Sequence, residues 1–334
     1  MDSAVDISIA MVEDLTIRQR RSDEILGVCP VCGCDDANFN TTKLKWRCWH
    51  CPAKGNITPE EGYVFQEVEE KQIDITKVRE LYTSIANQYH DDITDEAVDY
   101  LKNRGLTQDT IDKFKLGFCS TRFYSEYDTD ISEDSGIVYN NHPALTNRIT
   151  IPYIVNGETT DIRGRTLSTL TYKPNTPTYL SLSGNHKMRG ATYLFNHDVI
   201  DHYDRVIITE GEFKAIVGYQ FDFPVVATPG IFGWQKEWSE LLTDKEVILA
   251  ADFDRRYGAR APVYMMAKSL KDEIPQLKIA QLSYASDVID GKIDIDSLLV
   301  NGSISRFRLA IRAAVPVNEW LEIAKRRWDG RRHD

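Results

Sequence analysis

Between residues 204 and 300, apolar strand-like runs alternate with helical patterns, and this alternation restricts the chain more than any other feature. VIIT precedes FKAIVGYQ, VVATPG precedes WQKEWSELL, EVILAADFD precedes ARAPVYMMAKSL, and KIAQLSYA follows. Continuous apolar runs separated by helix-length segments build a parallel sheet with both faces covered. Such sheets bind ligands in the crevice at the carboxyl ends of their strands. The run Val206–Thr209 leads into Glu210, and Val247–Ala251 leads into Asp252 and Asp254. Two apart in extended chain, Asp252 and Asp254 point the same way. Three carboxylates converging there form a hard-oxygen site suited to Mg²⁺ or Mn²⁺. The later stretch GKIDIDSLLVNG adds Asp294 and Asp296, again two apart, on a loop before a helix. The plainer alternative for these acids is helix N-capping after a strand.

The N-terminal stretch CPVCGCDDANFNTTKLKWRCWHCPAKGN pairs Cys29 with Cys32 and Cys48 with Cys51, with fifteen residues between the pairs. Each CxxC knuckle turns two thiolates toward one point, and two knuckles complete a tetrahedral shell for zinc. Cys34 and His50 stand close enough in sequence to compete for the fourth position, while Cys119 reads as a core thiol. A closed four-ligand zinc leaves no place for water, so its role is structural. Lys43, Lys45, Trp46, Arg47, Trp49 and Lys54 interleave cations with aromatics across this module. That pattern suits single-stranded nucleic acid, but small zinc modules also need an aromatic core. Both readings stand at this point.

Residues 4–26 read as helical before the strand-like ILGV, and residues 60–75 as an acidic linker. Helical patterns follow at 76–90, 94–104 and 107–114, then strand-like runs from 136 to 195. NRITIPYIVNGETTDIRGR reads as a hairpin presenting Arg148, Arg163 and Arg165; Lys187 and Arg189 follow. The net charge of −11 argues at first sight against nucleic acid. Charge distribution matters more than the sum: residues 148–190 and 325–332 are locally basic. The last 30 residues read as helical. No apolar run approaches the ~18–20 residues of a membrane span. No basic segment followed by an apolar stretch opens the chain, and clustered cysteines suit a reducing compartment, so a cytoplasmic location is expected. No GxxxxGK[ST] loop is present, which excludes a P-loop helicase module from these residues.

The order of these parts resembles the bacterial and phage DNA primases of the Toprim superfamily. CPVC…CWHCPAKGN looks like the family's zinc-ribbon motif, with Cys32 where many members have histidine. EAVDYLKNRGLTQDTIDKFKLG, the NRITIPYIV…DIRGRTL…PTYLSL segment, ITEGEFKA, DFD and KIDIDSLL are similar to further family motifs in the same order. Where the family usually places an acid four residues after Glu210, this chain has Lys214.

The resemblance implies an α+β multidomain chain. A zinc ribbon over 1–60 would bind DNA, a linker and helix would occupy 61–92, and a mixed basic subdomain 93–200. A Toprim domain with a parallel sheet would span 201–300 and a helical basic segment 301–334. It also implies RNA primer synthesis on a single-stranded DNA template from ribonucleoside triphosphates, in a bacterial cell or encoded by a phage. Glu210, Asp252 and Asp254 would be catalytic and hold Mg²⁺ or Mn²⁺, with Asp294 and Asp296 as further ligands. Cys29, Cys32, Cys48 and Cys51 would hold zinc. Arg148, Arg163, Arg165, Lys187, Arg189 and Lys214 would contact template or nucleotide, and a separate helicase would be a partner. Two rivals are a Toprim nuclease and a non-catalytic zinc-bearing nucleic-acid binder. A strand-passage enzyme would need a separate DNA-gate domain, for which the chain has little room.

Overall fold

The computed structural model describes residues 5–21, 24–33, 37–48, 53–59, 74–122, 124, 127, 131–132, 135–139, 142–167, 177–182, 193–230, 233–254, 262–282 and 292–329. Its contacts divide the chain into two compact units, Met1–Gln72 and Ile73–Asp334.

The first unit is a small sheet. Its elements are β1 (Ile7–Ser8), α1 (Ile9–Asp14), β2 (Thr16–Arg21), β3 (Glu24–Gly27), β4 (Ala37–Asn40), β5 (Lys45–Cys48) and β6 (Lys54–Thr58). The strand order is β1-β6-β5-β4-β3-β2, antiparallel throughout except for the parallel β1–β6 pair. Strand β5 alternates exposed Lys45 and Arg47 with buried Trp46 and Cys48, the period-two pattern of a sheet with one wet face. Trp46 stacks on Phe39 and donates its indole N–H to the Val5 carbonyl at 2.8 Å. Gly55 has to be glycine, because a Cβ there would lie 1.7 Å from the Val5 carbonyl oxygen. Contrary to expectation, the helix near the N-terminus is only α1; Thr16–Arg21 is an edge strand paired with β3. The run TIRQRR has no apolar stripe at helical spacing, and sheet edges tolerate such charged strands.

The second unit opens with α2 (Ile75–Asp91), α3 (Asp95–Asn103) and α4 (Gln108–Lys113), capped by Asp74, Thr94 and Thr107. Each cap side chain accepts from a first-turn N–H, which satisfies a donor that has no partner within the helix. Then come β7 (Gly117–Cys119), the short pair β8 (Val138–Tyr139) and β9 (His142–Pro143), β10 (Arg148–Val155), β11 (Glu158–Thr166) and β12 (Tyr179–Ser181). An antiparallel sheet, β12-β11-β10-β7, carries the expected hairpin at its centre.

The remaining elements are α5 (Val199–His202), β13 (Arg205–Glu210), α6 (Glu212–Gln220), β14 (Val225–Thr228), β15 (Glu246–Leu249), β16 (Phe253–Asp254), α7 (Pro262–Leu270), β17 (Leu277–Ile279), β18 (Lys292–Ile293), α8 (Ile295–Val300), α9 (Ile304–Arg312), β19 (Val315–Pro316) and α10 (Val317–Asp329). The expected Trp-containing helix after β14 is a 3-10 helix, Lys236–Leu242. The main sheet runs β14-β13-β15-β17-β19, parallel over its first four strands. Its two faces feed two cores: Ile207, Val225 and Ile248 on one side, Val206, Ile208 and Val247 on the other. The C-terminal segment was expected to be wholly helical. Val315–Pro316 instead adds an antiparallel edge strand against β17, and α10 covers the sheet through Val317, Trp320 and Ala324.

Candidate functional site

Strand β13 has β14 on one side and β15 on the other, so the chain reverses its direction of winding there. Crevices at such reversal points, outside the carboxyl ends of the strands, are where open α/β sheets place ligands. Glu210 closes β13 and Asp252 follows β15 by three residues; both are buried polar residues. Between them sits Lys214, in the first turn of α6. Its Nζ lies 2.8 Å from Asp252 Oδ1 and 3.8 Å from Glu210 Oε1, and donates to the Glu210 carbonyl at 2.9 Å. Gly211, at φ +81°, makes the turn from strand to helix, a backbone region that favours glycine.

The other acids reach this crevice through the β16–β18 pair. Phe253 lies opposite Ile293 and Asp254 opposite Lys292, so continuing the same register brings Asp294 opposite Asp252. For Asp254 the backbone is described and the side chain is not. The Asp294 carboxylate accepts from Ser297 N in a reciprocal capping box at the start of α8. Asp296 pairs with Arg104 of α3 at 2.6 Å. Burial raises the Asp296 pKa, Arg104 opposes that shift, and the Asp294 charge adds to it. Of the expected acids, Glu210 and Asp252 meet at Lys214, Asp294 is engaged by a helix terminus and Asp296 by a guanidinium.

The basic residues divide by burial. Arg148 is buried and donates to the carbonyls of Pro177 and Thr178. Arg163 forms an ion pair with Glu212, which is fully buried and also accepts from the Tyr153 hydroxyl at 2.6 Å. Burial first, and then the Glu212 charge, pushes the Tyr153 pKa well above the ordinary phenol value, so this hydroxyl stays protonated and donates. Arg165 lies between the rings of Tyr100, Tyr179 and Phe213, each centroid within 5.4 Å of its Cζ. Its Nε and Nη1 are buried with no hydrogen-bond partner among the described residues. Arg104 stacks over Phe213 at 4.5 Å, so two guanidiniums share one ring at the start of α6. Lys187 and Arg189 lie outside the described residues. Sequence reasoning missed Glu212, Tyr153 and Arg104. The only signal for Glu212 is a second acid directly after Glu210-Gly211.

In the first unit, the sulfurs of Cys29, Cys32 and Cys48 all lie within 4.8 Å of one another. The Cys32–Cys48 separation is 3.9 Å, close to the ~3.8 Å edge of a tetrahedron built from Zn–S bonds of about 2.3 Å. Val31 N donates to Cys29 Sγ at 3.4 Å, and Gly33 turns the chain at φ +71°. Three thiols so arranged fit a structural zinc; Cys51, and its alternatives Cys34 and His50, lie outside the described residues. Trp46 packs as core, while Lys43, Lys45 and Arg47 remain exposed; Trp49 lies outside the described residues.

No family model matches the chain. The DNA primase of Rickettsia felis is 26% identical over 294 residues, which cover 73% of this chain and 47% of that protein. The chain therefore spans about half the length of the curated relatives it matches. Among solved structures, the Aquifex aeolicus primase (zinc-binding and RNA polymerase domains) superposes with a TM-score of 0.57 at 16% identity, covering 95% of this chain and 87% of that one. A DnaG primase catalytic domain bound to single-stranded DNA gives 0.58 at 19%, covering 72% and 80%. In sequence this chain is similar to bacterial DNA primases at about 26% identity, and its fold is similar to that of the zinc-binding and RNA polymerase domains of DnaG-type primases.

Proposed function

We propose that this chain synthesises short RNA primers on a single-stranded DNA template by nucleotidyl transfer. The observation that carries the reading is the pair Glu210 and Asp252 at the strand-order reversal, with Asp294 and Asp296 at the start of α8 after the facing strand β18. Mg²⁺ or Mn²⁺, when bound, neutralises triphosphate charge and lowers the pKa of the attacking 3′-hydroxyl. Glu210, Asp252 and Asp254 would hold it, with Asp294 and Asp296 as further ligands; in the alternative, Glu210 would instead accept the proton. Arg165, ringed by Tyr100, Tyr179 and Phe213, supplies a guanidinium for phosphate. Arg163 serves by holding Glu212, and so the first turn of α6, in register with the strand pair.

The exposed Lys43, Lys45 and Arg47 of the zinc unit suit a template strand. Single-stranded DNA, ribonucleoside triphosphates and a separate helicase are the partners this reading assigns, in a bacterial cytoplasm. Among the described residues no helix is long and apolar enough to cross a membrane.

Asp252→Asn is expected to abolish primer synthesis from labelled ribonucleotides on single-stranded template while zinc content and circular dichroism stay unchanged. Full activity in that variant would overturn the assignment. The same gel separates the nuclease reading, since a nuclease shortens the DNA with divalent metal and consumes no ribonucleotides.

A further inference from the structure

We infer that the ammonium of Lys214 is a built-in cation: it occupies the seat between Glu210 and Asp252, so that this pair does not recruit a divalent ion of its own. The contacts are those of a bridging cation. Nζ stands 2.8 Å from one carboxylate oxygen and 3.8 Å from the other, and a third oxygen, the Glu210 carbonyl, accepts at 2.9 Å. All three side chains are almost entirely enclosed, at 12%, 10% and 6% exposure. Two carboxylates taken this far out of water demand a compensating charge. Lys214, in the first turn of α6 just past the Gly211 turn, supplies it without a metal. An ammonium and a divalent ion cannot share the seat, since at such separations their repulsion is large even with substantial screening.

The consequence is a division of labour within the crevice. Lys214 offsets one of the two negative charges of Glu210 and Asp252, and divalent binding is left to the acids beyond this pair. The inference rests on the nucleotidyl-transfer reading of this crevice and revises its ligand set, taking Glu210 and Asp252 out of divalent binding; its test reads metal binding and not polymerisation, so either can fail alone.

The test is Mn²⁺ titration of the zinc-loaded full chain, followed by electron paramagnetic resonance without nucleotide or DNA. Lys214→Gln is expected to bind one further Mn²⁺, or to bind Mn²⁺ at least ~10-fold more tightly than the unsubstituted protein. Lys214→Arg, which keeps the charge, is expected to match the unsubstituted protein. Identical isotherms for Lys214→Gln and the unsubstituted protein would overturn the proposal. A second measurement needs no variant: quantitative acetylation with mass spectrometry. Lys214 should stay protected at millimolar Mg²⁺ as it is without it. Acetylation of Lys214 that rises with Mg²⁺ would mean that the ion displaces the ammonium, and would equally overturn the idea.

Discussion

Arg163 and Arg165, two residues apart on one strand face, take opposite roles for a reason that lies wholly in their neighbours. Arg163 meets a fully buried carboxylate, Glu212, whereas Arg165 meets aromatic rings and keeps two N–H groups without partners among the described residues. Removing one member of a buried ion pair leaves the other charge unpaired, at a cost of about 3–5 kcal/mol. Arg163→Ala is therefore expected to destabilise the second unit by that amount in urea unfolding, and replacing Arg163 and Glu212 together by apolar residues should recover part of the loss. Arg165→Ala should leave stability nearly intact. On the proposed function it should weaken single-stranded DNA binding across sequences and reduce the salt slope by about 1. Unaltered affinity and slope would return Arg165 to a purely structural role. Cys119 shows the same dependence on surroundings. Burial raises its thiol pKa to about 11, so at pH 8 only ~0.1% is thiolate, the form that reacts. Iodoacetamide followed by mass spectrometry should label it only after denaturation.

Secondary-structure elements place the acids, and they also occupy some of them. Asp294 caps α8, and losing such a cap typically costs about 1 kcal/mol. Serine caps as well as aspartate but carries no charge, so two variants separate the two roles. Asp294→Ser should keep stability and, if Asp294 holds metal, lose primer synthesis; Asp294→Ala should lose both. Full activity in Asp294→Ser would leave the residue as a cap alone. At the other end, the segment expected to be a helical basic tail is part of the main sheet's architecture. Trp320 of α10 is 7% exposed and packs in the core beneath β15 and β17. Trp320→Ala should cost about 3–5 kcal/mol in urea unfolding. The basic run in the sequence drew attention to charge, but the apolar spacing of Val317, Trp320 and Ala324 carried the structural information.

At the scale of the whole molecule, the two compact units should respond separately to metal. Small metal-centred modules draw much of their folding energy from the ion. Chelation should therefore abolish the thermal transition of residues 1–72 while leaving that of residues 73–334 in place; a single transition shifting as a whole would contradict this. Much of this organisation was legible in the sequence. The paired CxxC spacing announced a thiolate cluster, and the alternation after residue 204 announced a parallel sheet with Glu210 and Asp252 at its strand ends, because both depend on local periodicity. The hairpin of β10 and β11 was legible on the same ground. The strand at Thr16–Arg21 was not, since an edge strand is defined by the partner that pairs with it. Nor was the engagement of Glu212 by Arg163 and Tyr153, or of Asp296 by Arg104, which are 192 residues apart. Residue types and their spacing are covalent facts and determine which elements form and which chemistry is available. Whether a buried charge faces a guanidinium, a helix terminus or the Lys214 ammonium depends on which distant segments pack together, and in a low-dielectric interior that choice governs each group's charge and its freedom to act.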